Sequence, residues 1–155
     1  MNPLSPDDIL ALIPQQKPFR FVDGITEVGP DHIQGHYTFK KDEDFYQGHF
    51  PDNPVTPGVI LLESMCQIGV VALGIYLLSL ETSPKEARQW TTFFTDAETE
   101  FSKPVLPGQK VIVQGQKVFW RRKKLKSNIE MYSEAGDLVA RTSASGIGVR
   151  QWPGS

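Results

Sequence analysis

The chain has 155 residues and a formal net charge of -2 at pH 7. This length suits one domain, residues 1–155 with a core over about 5–150, rather than two. The slightly acidic balance argues against a general nucleic-acid-binding protein, which is usually basic over a whole face.

The chain start and the cysteine content indicate a compartment. The first residues lack a basic segment followed by an apolar one, so we expect no cleaved secretory signal and a cytoplasmic location. The single cysteine, Cys66, excludes an internal disulfide and is typical of a reducing compartment. Because Cys66 lies in an apolar stretch, we interpret it as a packing residue rather than a nucleophile.

The N-terminal part of the chain predicts a short helix and a hairpin. Residues Ser5–Asp8 supply a hydroxyl cap, a first-turn proline and two carboxylates for a helix that ends at Pro14. Two strands are then predicted at 19–28 and 32–40, joined by a tight turn at Gly29–Asp31.

A proline-rich loop and a long apolar helix follow. The prolines of Pro51–Gly58 restrict the backbone, so this loop can hold the neighbouring His49 in place. The stretch from about Pro57 to Leu80 predicts a helix that is buried on all faces. It is long enough to span a bilayer, but Glu63 would then lie in hydrocarbon, so we expect no membrane span.

The C-terminal half predicts mostly antiparallel sheet. After a polar linker at 81–88, β-branched and aromatic runs predict four strands, at 90–97, 110–120, 125–133 and 138–149. The last residues, Trp152–Ser155, are interpreted as a frayed end. A long buried helix with about five or six strands requires a curved sheet wrapped round the helix, an α+β fold. One sheet leaves part of such a helix uncovered, which predicts a homo-oligomer or a bound acyl chain.

Glu63 is the only charged residue between Val55 and Leu80. A lone buried charge is costly, so this carboxyl is expected to be titrating, paired or catalytic. Apolar surroundings should raise its pKa and keep a proton available. Gln67, four positions on, lies on the same helix face and can orient Glu63, although a purely structural pair is the alternative.

His49 and the start of the helix offer a base and two hydrogen-bond donors. A histidine titrates near neutral pH and can remove a weakly acidic proton, and the glycine before His49 lets a substrate approach. The free N–H groups of Gly58 and Val59 at the helix start can polarise a carbonyl. The alternatives are a histidine that bonds only to nearby backbone and an ordinary helix start.

Residue types and spacings around these groups form a specific pattern. The central matches are Phe45–Pro51, Pro54, Pro57–Val59 and Glu63–Gln67. Further matches are Ile13-Pro14, Pro18-Phe19, Val22-Asp23, Phe101, Lys103–Val105 and Pro107-Gly108. In these motifs, which cover most of the chain, the sequence resembles the hot-dog-fold 3-hydroxyacyl-acyl-carrier-protein dehydratases of fatty-acid synthesis.

The resemblance implies a reaction and a role for each site residue. His49 would take the C2 proton of a 3-hydroxyacyl thioester held on acyl carrier protein, and Glu63 would assist loss of the C3 hydroxyl as water. The amides of Gly58 and Val59 would hold the carbonyl, and Gln67 would orient Glu63. The product would be a trans-2-enoyl thioester, in fatty-acid or related polyketide or polyene synthesis, with no cofactor.

The resemblance also implies an assembly. In the similar enzymes the histidine and the glutamate come from different chains of a homodimer, and three such dimers often associate. The related dehydratase-isomerases carry aspartate at the position of Glu63, so no isomerase activity is predicted. Some residues depart from the family pattern and leave acyl chain length and pathway open: Gln15–Lys17, Arg20, Asp52-Asn53 and Gln109.

Basic residues crowd a predicted hairpin in the C-terminal half: Lys117, Arg121, Arg122, Lys123, Lys124 and Lys126. One interpretation is a solvated turn whose charge discourages sheet-edge pairing. The other is a docking surface for the acidic carrier protein.

Two other functions stay open from the sequence. A hot-dog thioesterase would share the fold but hydrolyse the acyl thioester, and a catalytically silent acyl-binding subunit would turn nothing over. No metal site is predicted, because the three histidines, His32, His36 and His49, lack zinc-like spacing with cysteine or acidic partners.

Overall fold

The computed structural model describes residues 3–151. Helix α1 (Pro6–Leu12) begins with the predicted cap: the Ser5 hydroxyl accepts from the Asp8 N–H at 3.2 Å, and the Asp8 carboxylate accepts from the Ser5 N–H at 3.0 Å. This reciprocal capping satisfies two backbone donors of the first turn. The predicted frayed end, Trp152–Ser155, lies outside the described residues.

Six strands form one antiparallel sheet in the order β1-β2-β4-β5-β6-β3. They are β1 (Gly24–Val28), β2 (His32–Thr38), β3 (Trp90–Phe101), β4 (Lys110–Arg121), β5 (Lys124–Ser133) and β6 (Leu138–Arg150). The long helix α2 (Gly58–Ser79) packs against this sheet. The predicted α+β hot-dog architecture is therefore confirmed.

The middle of α2 is a π-helical segment, Gln67–Ala72, between two α-helical segments. The Gly69 carbonyl in this segment accepts a hydrogen bond from the Ser127 hydroxyl of β5 at 2.7 Å. A Cβ added to Gly115 of β4 would lie 3.1 Å from the Gly69 Cα. Glycines on both sides thus let the helix backbone lie directly on the sheet.

By length and composition alone α2 is apolar enough to cross a membrane. However, 61% of its most apolar window is buried inside the protein. Its apolar character is therefore explained by its place as the core helix of the sheet.

The largest differences from the predicted elements are at three places. Strand β1 begins at Gly24, not at residue 19, because the backbone of Phe21 bonds to side chains of α2 instead of a neighbouring strand. Strand β3 continues beyond residue 97 to Phe101, which pairs with Ala140 of β6. The linker at 81–88 contains a short helix, α3 (Pro84–Ala87), capped by Ser83.

Apolar side chains stay exposed on strand β3 and near the start of α2. Strand β3 is an edge of the sheet, and Phe93 and Phe101 on it are 56% and 50% exposed. Near the start of α2, Val59 is 71% and Phe50 is 52% exposed. An open strand edge and exposed aromatic rings in one chain are features of an interaction surface.

Candidate active site

Glu63 lies in the second turn of α2 and is half-buried. The Gln67 amide donates a hydrogen bond from Nε2 to Glu63 Oε2 at 2.8 Å. The i, i+4 spacing in the sequence thus brings the two side chains together as predicted.

The Gln67 amide is fixed by main-chain groups from the segment before β1. Its Oε1 accepts from the Phe21 N–H at 2.7 Å, and its Nε2 donates to the Phe19 carbonyl at 2.9 Å. These partners define the amide orientation, because an N–H can only donate and a carbonyl can only accept. Gln67 therefore presents its second N–H to Glu63, and a proton on a neutral Glu63 would belong on Oε1.

Burial raises the pKa of Glu63 above its ordinary value, and the hydrogen bond from Gln67 opposes that effect. Burial, with a smaller contribution from the charge of Glu63, also raises the pKa of the Cys66 thiol to about 12. Cys66 is 1% exposed and unreactive as a thiol at neutral pH, which fits its interpretation as a packing residue.

His49 lies in a loop between a short 3₁₀ turn, Asp44–Gln47, and α2. Its Nδ1 is 2.9 Å from the Val55 carbonyl oxygen, and its own carbonyl accepts from the Val55 N–H at 3.0 Å. A carbonyl oxygen can only accept, so in the neutral imidazole the proton is on Nδ1. This leaves the lone pair of Nε2 available as a base. A Cβ added to the preceding Gly48 would meet no heavy atom within 4 Å, so the space beside His49 is open.

A buried hydroxyl pair near this loop was not predicted from the sequence. Tyr46 and Thr56 are 6% and 4% exposed, and their hydroxyl oxygens are 2.6 Å apart. The available signal was one threonine between Val55 and Pro57 in a proline-rich loop. Its partner, separated by ten residues, cannot be identified from local spacing.

The first amides of α2 stand where the sequence predicted donors. Pro57 is the N-cap and supplies no side-chain acceptor. Among the described residues, the N–H groups of Gly58 and Val59 have no hydrogen-bond acceptor, as expected for a first helical turn. A Cβ on Gly58 would lie 3.2 Å from the Phe101 ring, so packing also favours glycine here.

The structure does not join His49 to Glu63 within one chain. Across residues 3–151 no hydrogen bond links the two side chains, since His49 bonds to Val55 and Glu63 bonds to Gln67. Within one chain, the base held by Val55 and the acid held by Gln67 are thus two separate groups.

The basic hairpin lies at the other end of α2. Lys123 in the turn pairs with Glu81, just beyond the helix, at 2.5 Å. At 1.5 Å per residue, the 22 residues of α2 separate this end from Gly58 by about 33 Å. Lys117 pairs with Asp31. The other basic residues of the hairpin have no acidic partner within 3–151: Arg121, Arg122, Lys124 and Lys126.

Comparison with known proteins places this arrangement in a family. A family model described as a FabA-like domain matches residues 13–138. The chain is 35% identical over 127 residues to the 3-hydroxyacyl-acyl-carrier-protein dehydratase FabZ of Acinetobacter baylyi, covering 81% of this chain and 82% of that one.

Two further matches are to a much longer enzyme and to a structure of lower sequence identity. The chain is 38% identical over 105 residues to the bifunctional enzyme LpxC/FabZ of Porphyromonas gingivalis, which is 67% of this chain but only 21% of that enzyme. A dehydratase heterocomplex from Xenorhabdus doucetiae, ApeI:P, shares the fold with a TM-score of 0.73 at 12% identity, over 96% of this chain and 93% of the other. With its pattern of motifs matched across most of its length, the chain belongs to the FabA-like family.

Proposed function

We propose that this protein is a 3-hydroxyacyl-acyl-carrier-protein dehydratase that acts in fatty-acid or related acyl-chain synthesis in the cytoplasm. The observation that carries the proposal is that the side chains of an acid, Glu63, and a base, His49, are each held by a hydrogen bond in a form suited to proton transfer. Gln67 holds Glu63 in an apolar site that raises its pKa, and Val55 holds His49 with Nε2 free. Relatives at 35% identity and above are named as dehydratases with this activity.

The mechanism follows from the atoms that each group presents. His49 Nε2 takes a proton from C2 of the 3-hydroxyacyl thioester, while the Gly58 and Val59 amides stabilise the negative charge that develops on the thioester oxygen. The protonated Glu63 gives its proton to the C3 hydroxyl, which leaves as water as the C2–C3 double bond forms. Transfer of a proton from His49 back to Glu63, directly or through water, restores both groups.

A second copy of the chain would complete the site. Strand β3 has a free edge and exposes Phe93 and Phe101. Pairing of two β3 edges would cover these rings and bring the start of one α2 towards the other copy. His49 and Glu63 from different chains would then face one substrate. Further association of three such dimers stays a prediction.

The same pairing relates the basic hairpin to the site. Phe101, at one end of β3, lies beside Gly58, and at the other end the centroid of the Trp90 ring is 5.9 Å from Lys123 Nζ. Antiparallel pairing of two β3 strands sets the Trp90 end of one beside the Phe101 end of the other. The hairpin of one copy would then lie near the Gly58 site of the other. An acidic carrier protein bound there could deliver its acyl arm to that site.

Dehydratase activity is tested by adding a crotonyl thioester and following loss of the enoyl absorbance as it is hydrated. We expect reversible hydration by the wild-type protein and a loss of about 10²- to 10⁴-fold in His49→Ala. His32→Ala is the matched control, because His32 is a surface residue paired with Glu27. Free thiol released from an acyl thioester would instead identify a thioesterase. Absence of any turnover with intact acyl binding would identify a silent subunit.

Carrier docking is tested by charge reversal at the unpaired hairpin positions Arg122 and Lys124. We expect the KM for a carrier-bound substrate to rise about tenfold for each reversed charge, because like charges then face each other. The KM for a short free thioester should stay unchanged and serves as the control within each variant. Equal effects on both substrates would show that the hairpin acts on the site itself.

A further inference from the structure

The hydroxyl pair of Tyr46 and Thr56 connects the two arms of the loop that carries His49. Tyr46 lies three residues before His49, in the 3₁₀ turn, and Thr56 follows Val55 directly. Both side chains are buried, and their oxygens are 2.6 Å apart. A buried hydroxyl without a partner is costly, so each depends on the other.

The pair acts on the same backbone that holds the imidazole. Thr56 N–H donates to the Val105 carbonyl at 2.9 Å, which anchors this arm to the loop before β4. The adjacent Val55 bonds to His49 twice, through its N–H at 3.0 Å and through its carbonyl at 2.9 Å from Nδ1. A shift of Thr56 would therefore move the carbonyl that accepts the Nδ1 proton.

We propose that Tyr46 and Thr56 are positioning residues that fix the Val55 carbonyl and so keep the His49 proton on Nδ1. Without this hydroxyl pair, the Val55 arm keeps only its backbone bonds to Val105 and His49. It then moves more, and the imidazole can exchange between tautomers. The fraction of His49 with a free Nε2 lone pair then falls, and the remaining fraction is less well aimed. The effect on rate rests on the proposed dehydratase function, but the effect on the tautomer does not.

The test removes single oxygen atoms and observes the imidazole directly. The variants are Tyr46→Phe, Thr56→Val and the double variant, and Thr56→Ser is the rescue that keeps a hydroxyl. The ¹⁵N signals of the His49 ring, assigned by their absence in His49→Ala, report the tautomer without any substrate. Thr142→Val is the matched control. Thr142, on β6, is also 4% exposed, and its hydroxyl oxygen is 2.7 Å from that of Thr99 on β3, so this variant removes a comparable hydroxyl pair elsewhere in the protein.

We expect the wild-type protein, Thr56→Ser and Thr142→Val to hold the neutral ring with its proton on Nδ1. Each single variant should shift the ring towards a mixture and lower kcat about tenfold, as expected for a misplaced general base, with little change in KM. The double variant should be no worse than either single one, because both remove the same hydrogen bond. A change in the pH profile of kcat/KM should accompany the loss.

Two results would overturn the proposal. The first is an unchanged tautomer in both single variants, with only a loss of stability. The second is additive losses in the double variant, which would show two independent effects. A shifted tautomer in a protein that has no hydratase activity even as wild type would support the positioning role and reject the proposed function.

Discussion

Glu63 is oriented by a short series of contacts, while burial raises the pKa of its carboxyl above the ordinary value. Its partner Gln67 cannot rotate, since both ends of the amide are bonded to the main chain of Phe19 and Phe21. Removing Gln67 would leave two main-chain groups without partners, so its role cannot be separated from the packing of the segment before β1. Glu63 itself is the cleaner position to substitute.

The pH dependence of stability is a direct test of the Glu63 environment. The pKa of Glu63 is raised above its ordinary value of 4.5 in the folded protein. Between the pKa of the unfolded chain and the higher pKa of the folded protein, the folded state therefore binds a proton that the unfolded state has lost. Stability must then fall as the pH rises through this interval. In Glu63→Gln, which cannot titrate, that part of the decrease should be absent.

The measurement is urea unfolding of both proteins over a pH series. Glu43, whose pKa burial also raises, is common to both proteins and cancels in the difference. The wild-type free energy of unfolding, relative to that of Glu63→Gln, should decline from pH 4.5 upward and then level off. Parallel curves would mean that Glu63 is solvated as an ordinary surface carboxyl.

At the scale of elements, α2 depends on close contact with the sheet at Gly69. A Cβ there would lie 2.5 Å and 2.6 Å from two carbons of the Ile129 side chain, which is 1% exposed. A Cβ at Gly74, on the same helix, would have Leu125 as its nearest neighbour at 3.9 Å. The two glycines therefore differ in packing although both are helical.

Alanine substitution should give opposite results at the two positions. Gly69→Ala should destabilise the fold by about 1–3 kcal/mol, because a well-packed interior resists an added carbon. Gly74→Ala should stabilise by about 0.5–1 kcal/mol through helix propensity. Denaturant unfolding measures both. If Gly69→Ala is harmless, the helix can move away from β5. Adding Ile129→Val, which removes one of the two carbons, should recover part of the loss.

The elements that the sequence predicts well are those with a continuous local pattern. The existence of α2 and its polar pair follow from an apolar run interrupted at Glu63 and Gln67, and both are confirmed. The start of β1 was predicted too early, because the alternation from Phe19 does not reveal that Phe21 bonds to a side chain 46 residues away. Contacts such as that of Tyr46 with Thr56 depend on how the loop folds back, which no local pattern encodes.

At the scale of the whole molecule, one chain carries the two groups of the proposed reaction, His49 and Glu63, without joining them. His49 lies in the loop before α2 and stacks on the exposed Phe50, and the donors at Gly58 begin the helix. Glu63 is oriented through Gln67 by the segment before β1. Under the proposed function, a second chain would bind at the edge of β3, where Phe93 and Phe101 are exposed. An isolated chain should therefore be folded but inactive.

Mixing two inactive variants tests whether the site is shared between chains. A His49→Ala chain still carries Glu63, and a Glu63→Gln chain still carries His49, so a mixed dimer would contain one complete site and one site that lacks both groups. Random reassembly of equal amounts should restore about a quarter of the wild-type activity, since half the dimers are mixed and each has one working site. The measurement is crotonyl-thioester hydration after the two proteins are unfolded and refolded together. Replacing the Glu63→Gln chain by a chain with both substitutions is the control, because no complete site can then form. If the mixture stays as inactive as this control, His49 and Glu63 must meet within a single chain, and the role assigned here to the β3 edge is wrong.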